Sequence, residues 1–155
     1  MRIDHLADHP SWMQTIATWH HEAFGHLAPG KTLQDRWLTL QTTVQRDALP
    51  LCLVAHSGNG HLWGCASVFR RTLTHDHLGP WLSAVYVAPP HRGRGIASAL
   101  AERAAAECAR LGFAELFLFT PRNESLYRRL GWQAFDRTLI RETPSVVMKR
   151  HVQWR

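Results

Sequence analysis

Val85-Tyr86-Val87-Ala88-Pro89-Pro90-His91-Arg92-Gly93-Arg94-Gly95-Ile96-Ala97 is the stretch on which the fold turns. Its first residues complete an apolar run, Trp81-Leu82-Ser83-Ala84-Val85-Tyr86-Val87, that reads as a buried strand. Pro89-Pro90 stops it, because proline offers no N–H to a sheet. From about Gly95 onward, Ile96, Leu100, Ala104, Cys108 and Leu111 recur at helical spacing, and Gly112 suits the helix exit. Leu116-Phe117-Leu118-Phe119, within residues 115–120, then forms a core strand. A helix that joins two strands of one sheet is a crossover, so the two strands are expected to be parallel.

The loop inside this unit has a chemistry of its own. Gly93 and Gly95 allow a tight turn and close approach of backbone to a ligand. The free N–H groups and positive dipole end of the following helix suit a phosphate or pyrophosphate. Arg92 and Arg94 add charge-assisted contacts. No Gly-Lys-Ser/Thr follows, and Ser98 stands where a dinucleotide fingerprint has its third glycine. On these residues alone, an RNA-contacting arginine segment or a plain turn stays open.

Working outward, the chain predicts the order β-α-α-β-β-β-α-β-α-β-β. A short strand is expected over residues 2–6. Ser11 is a plausible N-cap for a helix carrying Trp12, Ile16, Trp19, Ala23 and Leu27 on one face. Thr32 can cap a second, with Leu33, Trp37, Leu40 and Val44. Residues 51–55 and about 61–73 read as a hairpin around Ser57-Gly58-Asn59-Gly60. A short helix over 124–130 leaves through Gly131, and two strands, 132–139 and 145–152, close the chain around a turn near 142–144.

With 45% hydrophobic and 19% charged residues, the composition is that of a globular chain rather than a disordered one. The apolar runs are too short to span a bilayer and no signal-peptide layout opens the sequence, so the cytoplasm is the expected location. Eighteen Lys and Arg against twelve Asp and Glu favour an anionic partner. No long basic block exists, which makes a dedicated nucleic-acid binder the weaker reading. Cys52, Cys65 and Cys108 lack CxxC spacing and read as reduced, buried thiols. His20-His21 and His75-x-His77 have no acidic or thiol partner at ligand spacing, so no metal is expected.

The stretch 85–97 resembles the signature of the GCN5-related N-acetyltransferase (GNAT) superfamily, whose Arg/Gln-x-x-Gly-x-Gly/Ala is met by Arg92, Gly95 and Ala97. Ser125-Leu126-Tyr127-Arg128-Arg129-Leu130-Gly131-Trp132 resembles the family's later "LYxxLGF/W" segment. The detailed match covers about residues 81–132. The resemblance, to small bacterial-type members, implies one acyltransferase domain over 1–155 with an α/β fold. That fold is a mixed, mostly antiparallel twisted sheet of six or seven strands, with a central parallel pair at 81–87 and 115–120 and four helices on both faces.

It also implies acetyl-CoA as co-substrate and an amine, small-molecule or peptide, as acceptor, with no membrane partner; a homodimer is left open. Val85, Tyr86 and Val87 would pair with the pantetheine arm. Arg92, Gly93, Arg94, Gly95, Ile96, Ala97 and Ser98 would wrap the pyrophosphate. Tyr127 takes the usual general-acid position. One departure stands out: Thr120 occupies the place of a frequent Asn seven residues before that tyrosine, while Asn123 is only four before it. For the general base, Glu22, His26, Asp35, His75 and Ser83 (through a held water) are candidates. The loop around 24–33 and the final turn around 140–145 are expected to recognise the acceptor. A non-catalytic acyl-CoA-binding module is the main alternative.

Overall fold

The computed structural model describes residues 1–153. Its elements in chain order are β1 (Arg2–His5), α1 (Met13–Phe24), α2 (Leu33–Gln41), β2 (Leu51–His56), β3 (Leu62–Phe69), β4 (Trp81–Val87), α3 (Ile96–Arg110), β5 (Glu115–Thr120), α4 (Glu124–Arg129), β6 (Gln133–Ile140) and β7 (Thr143–His151). The seven strands form one sheet in the order β1-β2-β3-β4-β5-β7-β6, antiparallel throughout except for the parallel pair β4–β5. This is the expected architecture, with seven strands. No helix among the described residues is long and apolar enough to cross a membrane.

Helices cover both faces because both faces of the central strands are apolar. On one side Leu53, Leu100, Ala104, Leu116, Leu118 and Met148 belong to a single buried cluster under α3. On the other, Ile16, Ala17, Leu40, Cys52, Val54 and Cys65 pack beneath α1 and α2. The predicted stripe of α3 is buried at Ile96, Leu100, Ala104 and Cys108, with Leu111 packed against its edge. All three cysteines are buried free thiols.

Local chemistry sets the ends. Thr32 caps α2 in a reciprocal box: its hydroxyl accepts from the Asp35 N–H at 3.1 Å, and the Asp35 carboxylate accepts from the Thr32 N–H at 2.8 Å. Ser11 does not cap α1. Residues 10–12 form a 3-10 turn and the helix starts at Met13 with no side-chain cap. Trp12 is instead held outside it, its ring stacked on His9 at 4.4 Å. At the far end α1 stops at Phe24, and a 3-10 turn over Gly25–Leu27 takes Leu27 out of the helix.

β3 ends at Phe69, short of the expected residue 73. The chain doubles back there so tightly that a Cβ at Gly79 would stand 2.2 Å from the Arg70 carbonyl oxygen. The last hairpin turns at Arg141 and Glu142, both left-handed at φ 47° and 68°, as a two-residue primed turn requires. That lies slightly before the expected position, and Pro144 falls inside β7 opposite Leu139.

β4 and β5 meet at one register pair only, Trp81 opposite Phe117. Beyond it β4 bulges: Cys65 of β3 faces Tyr86 but Ser67 faces Ser83, and Ala84 takes a left-handed φ of 52°. A bulge bends its strand and ends regular pairing. The two strands therefore diverge and leave a gap between them.

Candidate functional site

The gap opens into a cavity of about 900 Å³. One wall is β4 from Leu82 to Val87; the other is Leu118 to Thr120 at the end of β5. At its mouth lie His91, Arg92, Gly93 and the first residues of α3. α4 contributes Leu126 and Tyr127, the region after α1 contributes Phe24, His26, Leu27 and Ala28, and the β6–β7 hairpin contributes Ile140, Thr143 and Ser145.

The mouth gathers backbone N–H groups and cationic side chains. Gly93 and Gly95 both have φ of 79°, and a Cβ at either would meet nothing within 4 Å, so the glycines serve conformation and not packing. Gly95 leaves the N-terminus of the fifteen-residue α3 without a side-chain cap, and the first bond to its carbonyl comes from Ala99. The N–H groups of the first turn are thus free for a ligand. Arg92 donates from Nε to the Val87 carbonyl at 2.9 Å, with its guanidinium 5.5 Å from the Tyr86 ring centroid. Arg94 donates from Nη2 to the Pro90 carbonyl at 3.3 Å and to His91 Nδ1 at 3.1 Å, with its guanidinium 5.7 Å from the Trp63 ring centroid. Carbonyls and rings orient both cations while leaving their charge unneutralised.

Of the residues expected at this site, Val85, Tyr86, Val87, Arg92, Gly93, Gly95, Ile96, Ala97, Ser98 and Tyr127 all line the cavity. Arg94 does not; it stands beside the mouth. Tyr127 is 6% exposed, its ring edge-on to Trp132 at 5.8 Å. Burial pushes its hydroxyl pKa up to about 12, so it stays protonated through the range in which proteins are assayed. Thr120 and Asn123 both reach the cavity. The Thr120 hydroxyl is engaged locally, accepting from the Asn123 N–H at 3.0 Å to fold the short β5–α4 connection.

Among the candidate bases, His26 and Ser83 line the cavity; Glu22, Asp35 and His75 do not. Asp35 is occupied by the α2 capping box, whose hydrogen bonds hold its carboxyl below the ordinary range. His75 is bonded to the Asp136 carboxylate at 2.7 Å. Sequence reasoning missed Arg36, which lines the cavity from α2. Nothing in its spacing separates it from a solvent-facing helix residue. It also missed a cluster far from the cavity, Asp4, His9 and His56, whose potential ligand atoms lie within 4.8 Å of one another. There the Asp4 carboxylate is hydrogen-bonded to His9 Nε2 at 3.0 Å and His56 Nε2 at 2.7 Å. His56 Nδ1 accepts from the Gly58 N–H, which leaves the proton on Nε2, facing Asp4.

Among solved structures, an aminoglycoside 6'-N-acetyltransferase complexed with coenzyme A superposes with a TM-score of 0.78 at 13% identity, covering 100% of this chain and 99% of that one. The aminoglycoside 6'-N-acetyltransferase of Enterococcus faecium gives 0.76 at 13%, with coverage of 100% and 99%. A variant of the Vibrio cholerae spermidine N-acetyltransferase SpeG gives 0.71 at 14%, with 98% and 95%. At such identities the likeness is one of fold. No curated protein sequence matches the chain. The profile of the acetyltransferase (GNAT) family matches residues 13–132. With that match over most of its length, and the expected strand, loop and helix around the cavity, the chain belongs to the acetyltransferase (GNAT) family.

Proposed function

We propose that this acetyltransferase moves an acetyl group from acetyl-CoA to a primary amine, by direct attack of the amine in a ternary complex. The observation that carries this reading is the divergence of β4 from β5, with the uncapped start of α3 and two unneutralised arginines at its mouth. These features fit a long anionic cofactor: the diphosphate against Arg92 to Ser98, and the pantetheine arm along Val85, Tyr86 and Val87. Backbone groups there lack a β5 partner beyond Trp81 and can pair with an extended ligand as a strand would.

Acetyl-CoA supplies the acyl group as an activated thioester. An N–H of the β4 segment donates to the acetyl oxygen as charge develops on it. The Tyr127 hydroxyl donates its proton to the departing sulfur; buried and protonated, it suits an acid and not a base. The amine's proton leaves through His26 or a water held by Ser83, the two candidate bases on the cavity wall. The fold neighbours that acetylate aminoglycosides and spermidine support an amine acceptor in general terms.

Thermal unfolding with acetyl-CoA, with CoA and with short nucleic acids tests the cofactor. At a hundred times its dissociation constant the bound species adds about 2.7 kcal/mol. A shift with either CoA species, none with nucleic acid, and thiol release with an amine panel are expected. Absence of any shift with CoA or acetyl-CoA overturns the proposal, and a shift without thiol release favours a non-catalytic binding module. Tyr127→Phe is expected to lower kcat roughly a hundredfold, with acetyl-CoA affinity unchanged. Unchanged turnover across pH removes Tyr127 from the acid role.

A further inference from the structure

The cavity is unusual in what it lacks and in what it keeps. None of the described residues that line it is Asp or Glu. The chain has no acidic residue between Glu22 and Asp35, or between Asp76 and Glu102, which are the stretches that build most of its walls. It keeps Arg36. This side chain donates from Nη2 to the Ala28 carbonyl at 3.2 Å and stands beside Gly25, among the residues that face the acceptor end. Its Nε is buried without a hydrogen-bond partner, and among the described residues no carboxylate pairs with it. A guanidinium on a cavity wall that has no carboxylate partner keeps its charge open to an anionic ligand. Burial, to which this charge adds, drives the pKa of His20, on α1, down to about 4.

We infer that the acceptor is a primary amine that itself carries a carboxylate, and that Arg36 is the residue that holds this carboxylate. This rests on the acetyl-transfer reading above and names its substrate class. With Arg92 taken up by the cofactor diphosphate, a polycation would still have to bring several ammonium groups to a wall that carries Arg36 and offers no carboxylate to receive them. Like charge there opposes binding. A carboxylate-bearing amine meets the reverse situation, since Arg can engage a carboxylate with two parallel hydrogen bonds. Two sources share this chemistry, free amino acids and peptides with an acidic residue at a free N-terminus.

The test measures thiol release from acetyl-CoA by the full chain with four acceptor sets: free amino acids, tripeptides with an acidic first residue, the same tripeptides with neutral side chains and an amidated C-terminus, and the polycations spermidine and kanamycin. One of the first two sets is expected to give the highest kcat/KM, which also identifies the source. Arg36→Gln is expected to raise KM for that acceptor at least tenfold while leaving acetyl-CoA affinity unchanged, with Arg36→Lys recovering part of the loss. Arg36→Glu is expected to move preference toward spermidine. A higher kcat/KM for the polycations in the unaltered protein, or an unchanged KM in Arg36→Gln, overturns the inference while acetyl transfer stands. If acetyl-CoA gives no thermal shift and no amine releases thiol, the acetyl-transfer reading has failed and the inference goes with it.

Discussion

The cations at the β1 edge and those around the cavity are treated in opposite ways. At the edge Arg46 and Arg110 are matched by carboxylates. Arg46 pairs with Asp8, and Arg110 bonds Asp47 at 2.8 Å and Glu107 at 3.1 Å. Glu107 is only 5% exposed and also meets His5, with Arg103 4.0 Å away. Around the cavity Arg36, Arg92 and Arg94 rest on backbone carbonyls, and among the described residues none has a carboxylate partner. The first arrangement closes its charges within the fold and contributes stability. The second leaves charge open to a ligand. One difference of partner thus separates scaffold from site.

The largest expected effect comes from removing the open charges. Each charge-assisted hydrogen bond is worth about 1.5–3 kcal/mol, so Arg92→Ala with Arg94→Ala is expected to weaken acetyl-CoA roughly a hundredfold or more. Unfolding of the free protein should change by no more than about 0.5 kcal/mol. Titration calorimetry and denaturant unfolding read the two quantities separately. A large loss of stability with affinity intact would show that these arginines belong to the scaffold, and the contrast would be gone.

Arg110→Ala examines the other side. It leaves the buried Glu107 carboxylate with His5 and the distant Arg103, so a cost of about 2 kcal/mol is expected, below that of a wholly unpaired buried charge. The denaturant midpoint should fall and acetyl-CoA affinity should hold. A weakened affinity in this variant would mean that the edge and the cavity are coupled through α3, which carries Arg110 at its end and follows the glycine turn at its start.

Much of the fold was legible because its signals are local. Pro89-Pro90, the glycines at 93 and 95 and the apolar stripe from Ile96 fix the strand-loop-helix unit with no knowledge of distant residues. Thr32 likewise caps its helix as read, though its Asp35 partner, expected among the candidate bases, was not seen as part of the cap. The other misses are tertiary. Ser11 has the chemistry of a cap, but stacking of Trp12 on His9 and its approach to His56 hold that turn outside the helix. The limit of β3 depends on Gly79 closing against Arg70, and the width of the cavity depends on a bulge at Ala84 that no residue there advertises. The turn and the uncapped helix start over 92–98 were readable for the same local reason. The loop around 24–33 and the turn around 140–145 were also readable as cavity segments, but Arg36 was not, because it reaches the cavity only through the packing of α2.

The smallest expected effect separates the two regions by pH. Hydrogen bonds from His9 and then His56 lower the Asp4 carboxyl from 3.8 to about 2. A carboxyl depressed in the folded state stabilises fully above its unfolded pKa and loses that contribution as pH falls through the folded one. Asp4→Asn should therefore cost about 1 kcal/mol near pH 6, the order of one net hydrogen bond, and the gap to the unaltered protein should close between about pH 4 and 2. Arg92 and Arg94 keep their charge over that whole range, since guanidinium does not lose its proton there. Any effect of their removal on the free protein's unfolding should thus show no acid window. Denaturant midpoints from pH 6 to 2 check both. A gap for Asp4→Asn that stays constant down to pH 2 would show that Asp4 contributes through shape and not through its charge, and the closed pairing at the β1 edge would rest on Glu107, Asp8 and Asp47 alone.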